Sequence, residues 1–406
     1  MTAKAHLLGT HRTVPPAETV ARLRPLMPAL GITRLADVTG LDRIGVPVFQ
    51  AVRPLSRSVS VSQGKGLDAV AARASALMEA AETWHAERAE VPLRLARERD
   101  LRVRGLPLVD TDALPRVAGS AYGPGSPILW AEGRGLGTGR PAWVPYEIVH
   151  TDYTLPLPAG SGHFLASTNG LASGNARDEA VCHGLCELVE RDAVTLWFRL
   201  DARAQAASAV DLATVDDPAC RGTIDRVRAA GLDLVAWDAT SDLGVPAFLC
   251  LLLDAREPEV GHGGLGAGCH PAREVALLRA LTEAVQVRMT YISGARDDIA
   301  AGEYSSGTRA ERLATARRLA AHRAATGLEF RELPTRAHPD FAANLAWLLE
   351  RLGAAGLDEP IVVDLSRPEI GVAVVRVVAP GLEGPDDHPS YAPGRRARGD
   401  VATERA

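Results

Sequence analysis

Three stretches of the chain carry carboxylates at helical spacing. In LDAVAARASALMEAAETWHAERAE, which begins at Leu67, Glu79 and Glu82 stand three residues apart. In NARDEAVCHGLCELVERDAV, which begins at Asn175, Glu179, Glu187 and Glu190 are joined by His183 and Cys186. In REVALLRALTEAVQVRMTYI, which begins at Arg273, Arg279, Glu283 and Gln286 follow at spacings of four and three. At 100° per residue each helix separates these groups from an apolar stripe. The stripes are Val70, Ala74, Leu77, Ala81 and Trp84; Val181, Leu185 and Leu188; and Leu277, Leu278, Leu281 and Val285. Neither Glu79/Glu82 nor Glu187/Glu190 has a Lys four residues on, and like charges so close repel unless a cation sits between them. Converging carboxylates suit a hard, oxygen-preferring ion such as Mg²⁺. Arg191 and Arg279 are suited to a phosphate. The pattern predicts a nucleotide–magnesium site, against the plain alternative that each polar face simply meets water.

Other chemistry is weaker. GHGGLGAG at 261–268 and SQGKG at 62–66 are glycine-rich, but neither matches a dinucleotide or Walker pattern. Both read as flexible loops, with Lys65 in reach of a phosphate. Cys182 and Cys186 are four apart on one helix without a second Cys pair, so they read as packing thiols rather than a zinc site. His163 and His183 read as satisfied polar residues. No GxSxG elbow or Ser/His/Asp order is present.

The elements that must hold these groups are legible in outline. Residues 44–61 alternate like a strand hairpin, and 230–255 hold two strands, LDLVAWDAT and VPAFLCLLL. A charged helix is expected over 308–325 and another near 339–355, followed by the strands PIVVDLS and VAVVRVVAP. The expected organisation is an N-terminal helical element over 1–44, one mixed α/β catalytic domain over 45–383, and a flexible tail over 384–406. The chain has 406 residues and a net charge of −5, which gives no support for nucleic-acid binding. It has no run long and apolar enough to span a membrane, no secretory signal, and an odd five cysteines. A cytoplasmic location is expected.

Four of these stretches resemble the YcaO family. The loop and helix from Ser167, STNGLASGN followed by EAxxHGLxELxERDA, resembles its signature. SQGKGLDAVAARASALMEAAETWHAE resembles its first acidic helix, LLRALTEAVQVR its RAxTEAxQxR helix, and VVRVVAPGLEG its closing strand and turn. The resemblance implies a YcaO-type ATP-binding fold with sheets flanked by helices, and ATP and Mg²⁺ as cofactors. It places metal ligation on Glu79, Glu82, Glu179, Glu187 and Glu190. It places nucleotide contact on Asn175, Arg191, Arg279, Glu283 and Gln286, and extends it to Arg12 and Thr19. It assigns no catalytic base.

The family activates a peptide backbone amide by phosphorylating its oxygen, after which a nucleophile adds at carbon. GTHRTVPPAETVARL and TRLADVTGLDRIGVPVFQAVRPLSRS resemble members paired with a TfuA protein, which install thioamides during ribosomal peptide maturation, as in antibiotic biosynthesis. The chain ends HPSYAPGRRARGDVATERA, unlike the Pro-rich tail of many azoline-forming members. The expectation is thioamide formation on a precursor peptide with a TfuA-like partner. An azoline-forming cyclodehydratase, a macroamidine-forming enzyme and a non-catalytic peptide-binding scaffold are the alternatives. The family also implies a homodimer.

Overall fold

Apolar periodicity and its interruptions set the element order. A computed structural model describes residues 2–254, 262–323, 326–336, 338–385 and 388–399. Helix α1 (Pro16–Leu23) starts on its proline and is followed by strands β1 (Arg34–Asp37), β2 (Val48–Val52) and β3 (Val61–Lys65), then α2 (Ala69–Ala86). Next come β4 (Leu93–Arg97), α3 (Glu98–Val103), β5 (Pro127–Gly135), β6 (Pro141–Pro145) and β7 (Leu171–Gly174), leading into α4 (Arg177–Phe198). After α5 (Ala202–Ala207) and β8 (Val210–Asp211) follow α6 (Pro218–Ala229), β9 (Leu232–Asp238), β10 (Ala247–Asp254), β11 (Gly264–Cys269) and α7 (Arg273–Ser293). The last elements are α8 (Ser306–Ala321), β12 (Leu328–Glu329), α9 (Phe341–Ala354), β13 (Ile361–Asp364), β14 (Ala373–Val378) and α10 (Arg395–Arg398). The class is mixed α/β, as the sequence implies.

The chain divides into two compact units, each discontinuous in sequence. The first is Lys4–Ala80 with Trp197–Ala337; the second is Met1–Ala3, Ala81–Leu196 and His338–Ala406. Two of the divisions, Ala80/Ala81 and Leu196/Trp197, fall inside α2 and α4. No Pro/Gly-rich linker marks either point, so a sequence reading has nothing to place them by.

The first unit holds two antiparallel sheets, β1-β2-β3 and β11-β10-β9, and its core gathers Val48, Phe248, Cys250, Leu277, Leu281 and Val285. The expected hairpin is present as β2 and β3, but β3 continues to Lys65, so all of SQGKG but Gly66 is strand rather than loop. GHGGLGAG is corrected in the same way. Gly264–Cys269 is a full strand paired with β10, while Gly261 lies outside the described residues. Gly264, Gly266 and Gly268 fall on one face by the two-residue alternation of a strand. A Cβ on any of them would overlap the backbone of α7, at Ala284, at Ala280 and Ala284, or at Ala276 and Ala280. Gly64 meets α2 at Ala72 and Ala76 in the same manner. These glycines are bare so that a helix can lie directly on the strand.

The second unit is built on a six-stranded sheet ordered β4-β5-β13-β14-β7, with β6 also paired to β5. Gly174 gives up its side chain to the start of α4 at Ala176 and Ala180. Within α4, Gly184 rests on the Gly170 carbonyl and Val377.

Two expectations are revised. Arg34–Asp37, inside the expected N-terminal helical element, is a strand on β2. The stretch 388–399, inside the expected flexible tail, is tied down. Arg396 donates from Nε and Nη2 to the two oxygens of Asp192, at 2.8 and 3.0 Å, and Asp192 is fully buried on α4. Glu383 accepts from Tyr391 Oη (2.7 Å), Gly394 N (2.8 Å) and Ala397 N (2.9 Å). A four-residue helix has little stability alone, so these charge-assisted bonds hold it. Residues 400–406 lie outside the described residues.

Stability predictions follow from these surroundings. Gly266→Ala lowers unfolding free energy by about 2 kcal/mol or more through overpacking against α7. Gly353→Ala, exposed on α9 with open space around it, raises it by about 0.5–1 kcal/mol. Urea titration checks both. Arg396→Met leaves Asp192 buried without its guanidinium and costs about 3–5 kcal/mol. The Asp192→Asn/Arg396→Met pair recovers a large part of that in the same assay.

Candidate active site

The polar helix faces are largely withdrawn from solvent. Glu179 is 1% exposed and Glu190 3%, while Glu79, Glu82, Glu187, Arg191, Arg279, Glu283 and Gln286 are half-buried. The plain amphipathic reading fails for α4, which is buried on both its apolar and its acidic sides. On α2 the expected stripe holds for Ala74, Leu77 and Ala81, but Val70 is 37% exposed.

In the first unit, the close approach of α2 and α7 to glycine-bare strands lets helix carboxylates reach strand amides. Gln63 N, next to Gly64, donates to Glu79 Oε1 at 3.1 Å. Ala267 N, between Gly266 and Gly268, donates to Glu283 Oε1 at 3.3 Å. Lys65 Nζ donates to Glu283 Oε2 at 2.8 Å, and Gln286 Nε2 donates to the Gln63 carbonyl at 2.7 Å. Glu79, Glu283, Gln286 and Lys65 thus form one network around β3. Burial pushes the Glu79 carboxyl above its ordinary value, Glu283 reinforcing the shift and the Gln63 amide, Arg296 and Lys65 opposing it. Arg12 lies on the N-terminal segment, bridged to His6 through backbone. Its neighbour His11 meets His270 edge-on at 4.6 Å, and burial with the charge of Lys4 holds the His11 pKa down to about 4. Thr19 is buried on α1.

The second unit holds Glu82, Asn175, Glu179, Glu187, Glu190 and Arg191. Asn175 stands two residues before α4, and its Nδ2 donates to Glu179 Oε1 at 3.4 Å. Glu187 and Glu82 both lie in the field of Arg376, a fully buried arginine of β14. Burial lowers the Arg376 pKa, and Tyr153, Glu187 and Glu82 oppose that shift. Arg376 carries no helical-period signal, and a single arginine in VVRVV reads as strand punctuation. Asp192 was likewise missed, because its partner lies at Arg396, about two hundred positions away in sequence.

Among the described residues no three of His, Cys, Asp or Glu stand close enough together to hold a metal ion. Mg²⁺ does not require such a cage: it is commonly held by one or two carboxylates together with phosphate oxygens and water. The glutamates offer hard oxygen donors of that kind. The five cysteines are buried, and Cys182 Sγ accepts from Asn344 Nδ2 at 3.6 Å, a packing role.

The family model described as YcaO cyclodehydratase, ATP- and Mg²⁺-binding, matches residues 63–383. The chain belongs to the YcaO family. ATP and Mg²⁺ are accordingly its cofactors, and the coarse assignment is an ATP-dependent enzyme. The chain is 38% identical over 379 residues to a Rhizobium leguminosarum bv. trifolii protein named for the tfuA 3′ region, covering 92% of this chain and 88% of that one. It is 35% identical over 410 residues to an uncharacterised protein of Methanothermobacter thermautotrophicus, covering 96% and 99%. Its structure is similar to that of YcaO from Methanopyrus kandleri bound with AMPPCP and Mg²⁺, at 26% identity and a TM-score of 0.73, over 94% of this chain and 95% of that one. It shares the fold of a heterocyclase in complex with substrate and cofactor, at 24% identity and a TM-score of 0.76, covering 94% of this chain but only 54% of that one. No helix among the described residues is long and apolar enough to cross a membrane.

The Glu79 environment predicts a stability effect with a defined sign. Its pKa is raised on folding, so the native carboxyl holds its proton longer than the unfolded one, and wild-type stability falls as pH rises from about the ordinary 4.5 through the raised value. Glu79→Gln removes that loss. In metal-free protein, thermal melts of the variant run increasingly above wild type across that interval and then at a constant margin. A variant less stable than wild type throughout contradicts the burial argument.

Proposed function

We propose that the protein phosphorylates a backbone amide oxygen of a ribosomally made precursor peptide at the expense of ATP. Sulfide delivered with a TfuA-like partner then adds at the amide carbon, and phosphate leaves with the former amide oxygen, giving a thioamide. The observation that carries this reading is the 38% likeness, over nearly the whole chain, to a protein of the tfuA 3′ region.

The residues present fit the cofactors. An amide oxygen is a poor leaving group, and phosphorylation makes it a good one. When bound, ATP supplies the phosphoryl group and Mg²⁺ its charge neutralisation. Glu79, Glu82, Glu179, Glu187 and Glu190 would hold the metal; burial of Glu179 and Glu190 strengthens their interaction with a cation. Arg191 and Arg279 would pair with phosphate oxygens in the forked geometry of a guanidinium. Asn175, Glu283, Gln286 and Arg12 would orient the nucleotide. Lys65, bound to Glu283, would help to fix that carboxylate. No side chain is assigned as the general base. A second copy of the chain, completing a cytoplasmic homodimer, is part of the same reading.

The family's description as a cyclodehydratase supports a second reading, dehydrative ring closure to an azoline or amidine. Product mass separates the two. With precursor peptide, the TfuA-like protein, sulfide, ATP and Mg²⁺, exchange of sulfur for oxygen raises the peptide mass, whereas ring closure loses water. Peptide-dependent ADP release without either change leaves both unsupported. Glu190→Gln lowers peptide-dependent turnover by about a hundredfold or more, read as kcat for ADP release.

A further inference from the structure

The second unit contains a group of buried polar atoms that the proposed metal and nucleotide ligands do not use. Arg376 is 1% exposed. Its Nε donates to the Val149 carbonyl at 3.2 Å and its Nη1 to the Asn169 carbonyl at 2.8 Å, while Nη2 has no hydrogen-bond partner. The two residues after Val149 repeat the pattern. His150 is 3% exposed and stacks on Tyr146, with ring centroids 4.5 Å apart. Its Nδ1 accepts from Asp152 N at 3.1 Å, so in the neutral ring the proton is on Nε2, and Nε2 has no partner. Thr151 is fully buried; its backbone N donates to the Ala86 carbonyl, and its hydroxyl has no partner. Asn169, whose carbonyl Arg376 holds, leaves its side-chain oxygen unpartnered as well.

Each orphaned buried polar atom costs about 1–3 kcal/mol. Native folds leave few of them, and here one lies on Arg376 itself, one on Asn169, whose carbonyl it holds, and two on the residues that follow Val149, its other carbonyl partner, which together call for an occupant. Three of the four are donors or can donate, and one belongs to a cation. Exchanging the Asn169 amide's oxygen and nitrogen, which shape alone does not distinguish, adds a fourth donor. A lone peptide carbonyl offers two lone pairs, too few for this set. A tetrahedral oxyanion offers several oxygens and matches the guanidinium fork. Glu82 and Glu187 flank the same arginine and would repel an anion by themselves. With Mg²⁺ on those carboxylates, as proposed above, an anion there lies between two positive charges.

We propose that Arg376, His150 and Thr151 form a built subsite for a phosphate-class oxyanion, either the terminal phosphoryl group of the nucleotide or the phosphate released after transfer. The proposal rests on the nucleotide reading above and deepens it by assigning a place to the group that moves. Thr151→Val is the decisive variant, because it keeps the shape and removes only the hydroxyl. A structural or water-filled site predicts unchanged or higher stability in urea and no change in ligand affinity.

The test is isothermal titration of the full chain with Mg²⁺ and three probes: ADP, AMPPCP, and inorganic phosphate in the presence of ADP. The expected result is that Thr151→Val weakens AMPPCP or inorganic phosphate about tenfold, while ADP affinity is kept and ligand-free stability is unchanged or higher. Loss with AMPPCP identifies the nucleotide's terminal phosphoryl as occupant; loss with inorganic phosphate alone identifies the released product. Arg376→Lys, which keeps charge but not the fork, weakens the same probe where it folds. Unchanged AMPPCP and phosphate affinities in Thr151→Val overturn the subsite while ADP binding stands. If wild type binds neither ADP nor AMPPCP, the nucleotide reading fails instead, and titration with phosphate alone still decides the subsite.

Discussion

The fold depends on helix backbones lying directly on strand backbones, which is possible only where the strand face carries no side chain. Gly64 under α2, Gly174 under the start of α4, and Gly264, Gly266 and Gly268 under α7 meet that condition. Two consequences follow from the close approach. The contact surface is made of alanine and glycine, so burial there contributes less hydrophobic free energy than larger side chains would. In the first unit the glutamates beside the contact also come within reach of the strand's own amides. Glu79 takes Gln63 N and Glu283 takes Ala267 N, each beside one of the bare glycines. The same device is used twice there, on sheets far apart in sequence.

That arrangement explains why the acidic faces tolerate burial. A carboxylate withdrawn from water loses its solvation, and backbone amides, Lys65 and a bound cation each restore part of it. The raised Glu79 pKa reflects what remains unrecovered in the metal-free state. A site of this type is poised for a hard cation, and the stability given up in building it appears as gain when the carboxylate is replaced.

The three polar helix faces are legible from spacing, because each lies opposite an apolar stripe and the paired glutamates of two of them have no Lys four residues on. Their ligand roles came from resemblance to a family rather than from spacing. The glycine strands were misread for a physical reason. Glycine marks turns because it permits unusual backbone angles, yet Gly64 and the three β11 glycines are selected for a missing side chain in ordinary extended backbone. Arg376, His150, Thr151 and the Asp192–Arg396 pair were invisible, since each depends on partners far away in sequence. The division inside α2 and α4 left no compositional trace.

The central claim is that the amide oxygen of the peptide is phosphorylated. It is tested most directly by labelling that oxygen with a heavy isotope and following the label. The account predicts that, in reactions with ATP, Mg²⁺ and the sulfur donor, the label leaves the peptide and appears in inorganic phosphate in proportion to product formed. Label released as water, or retained in the product while ADP accumulates, would contradict it.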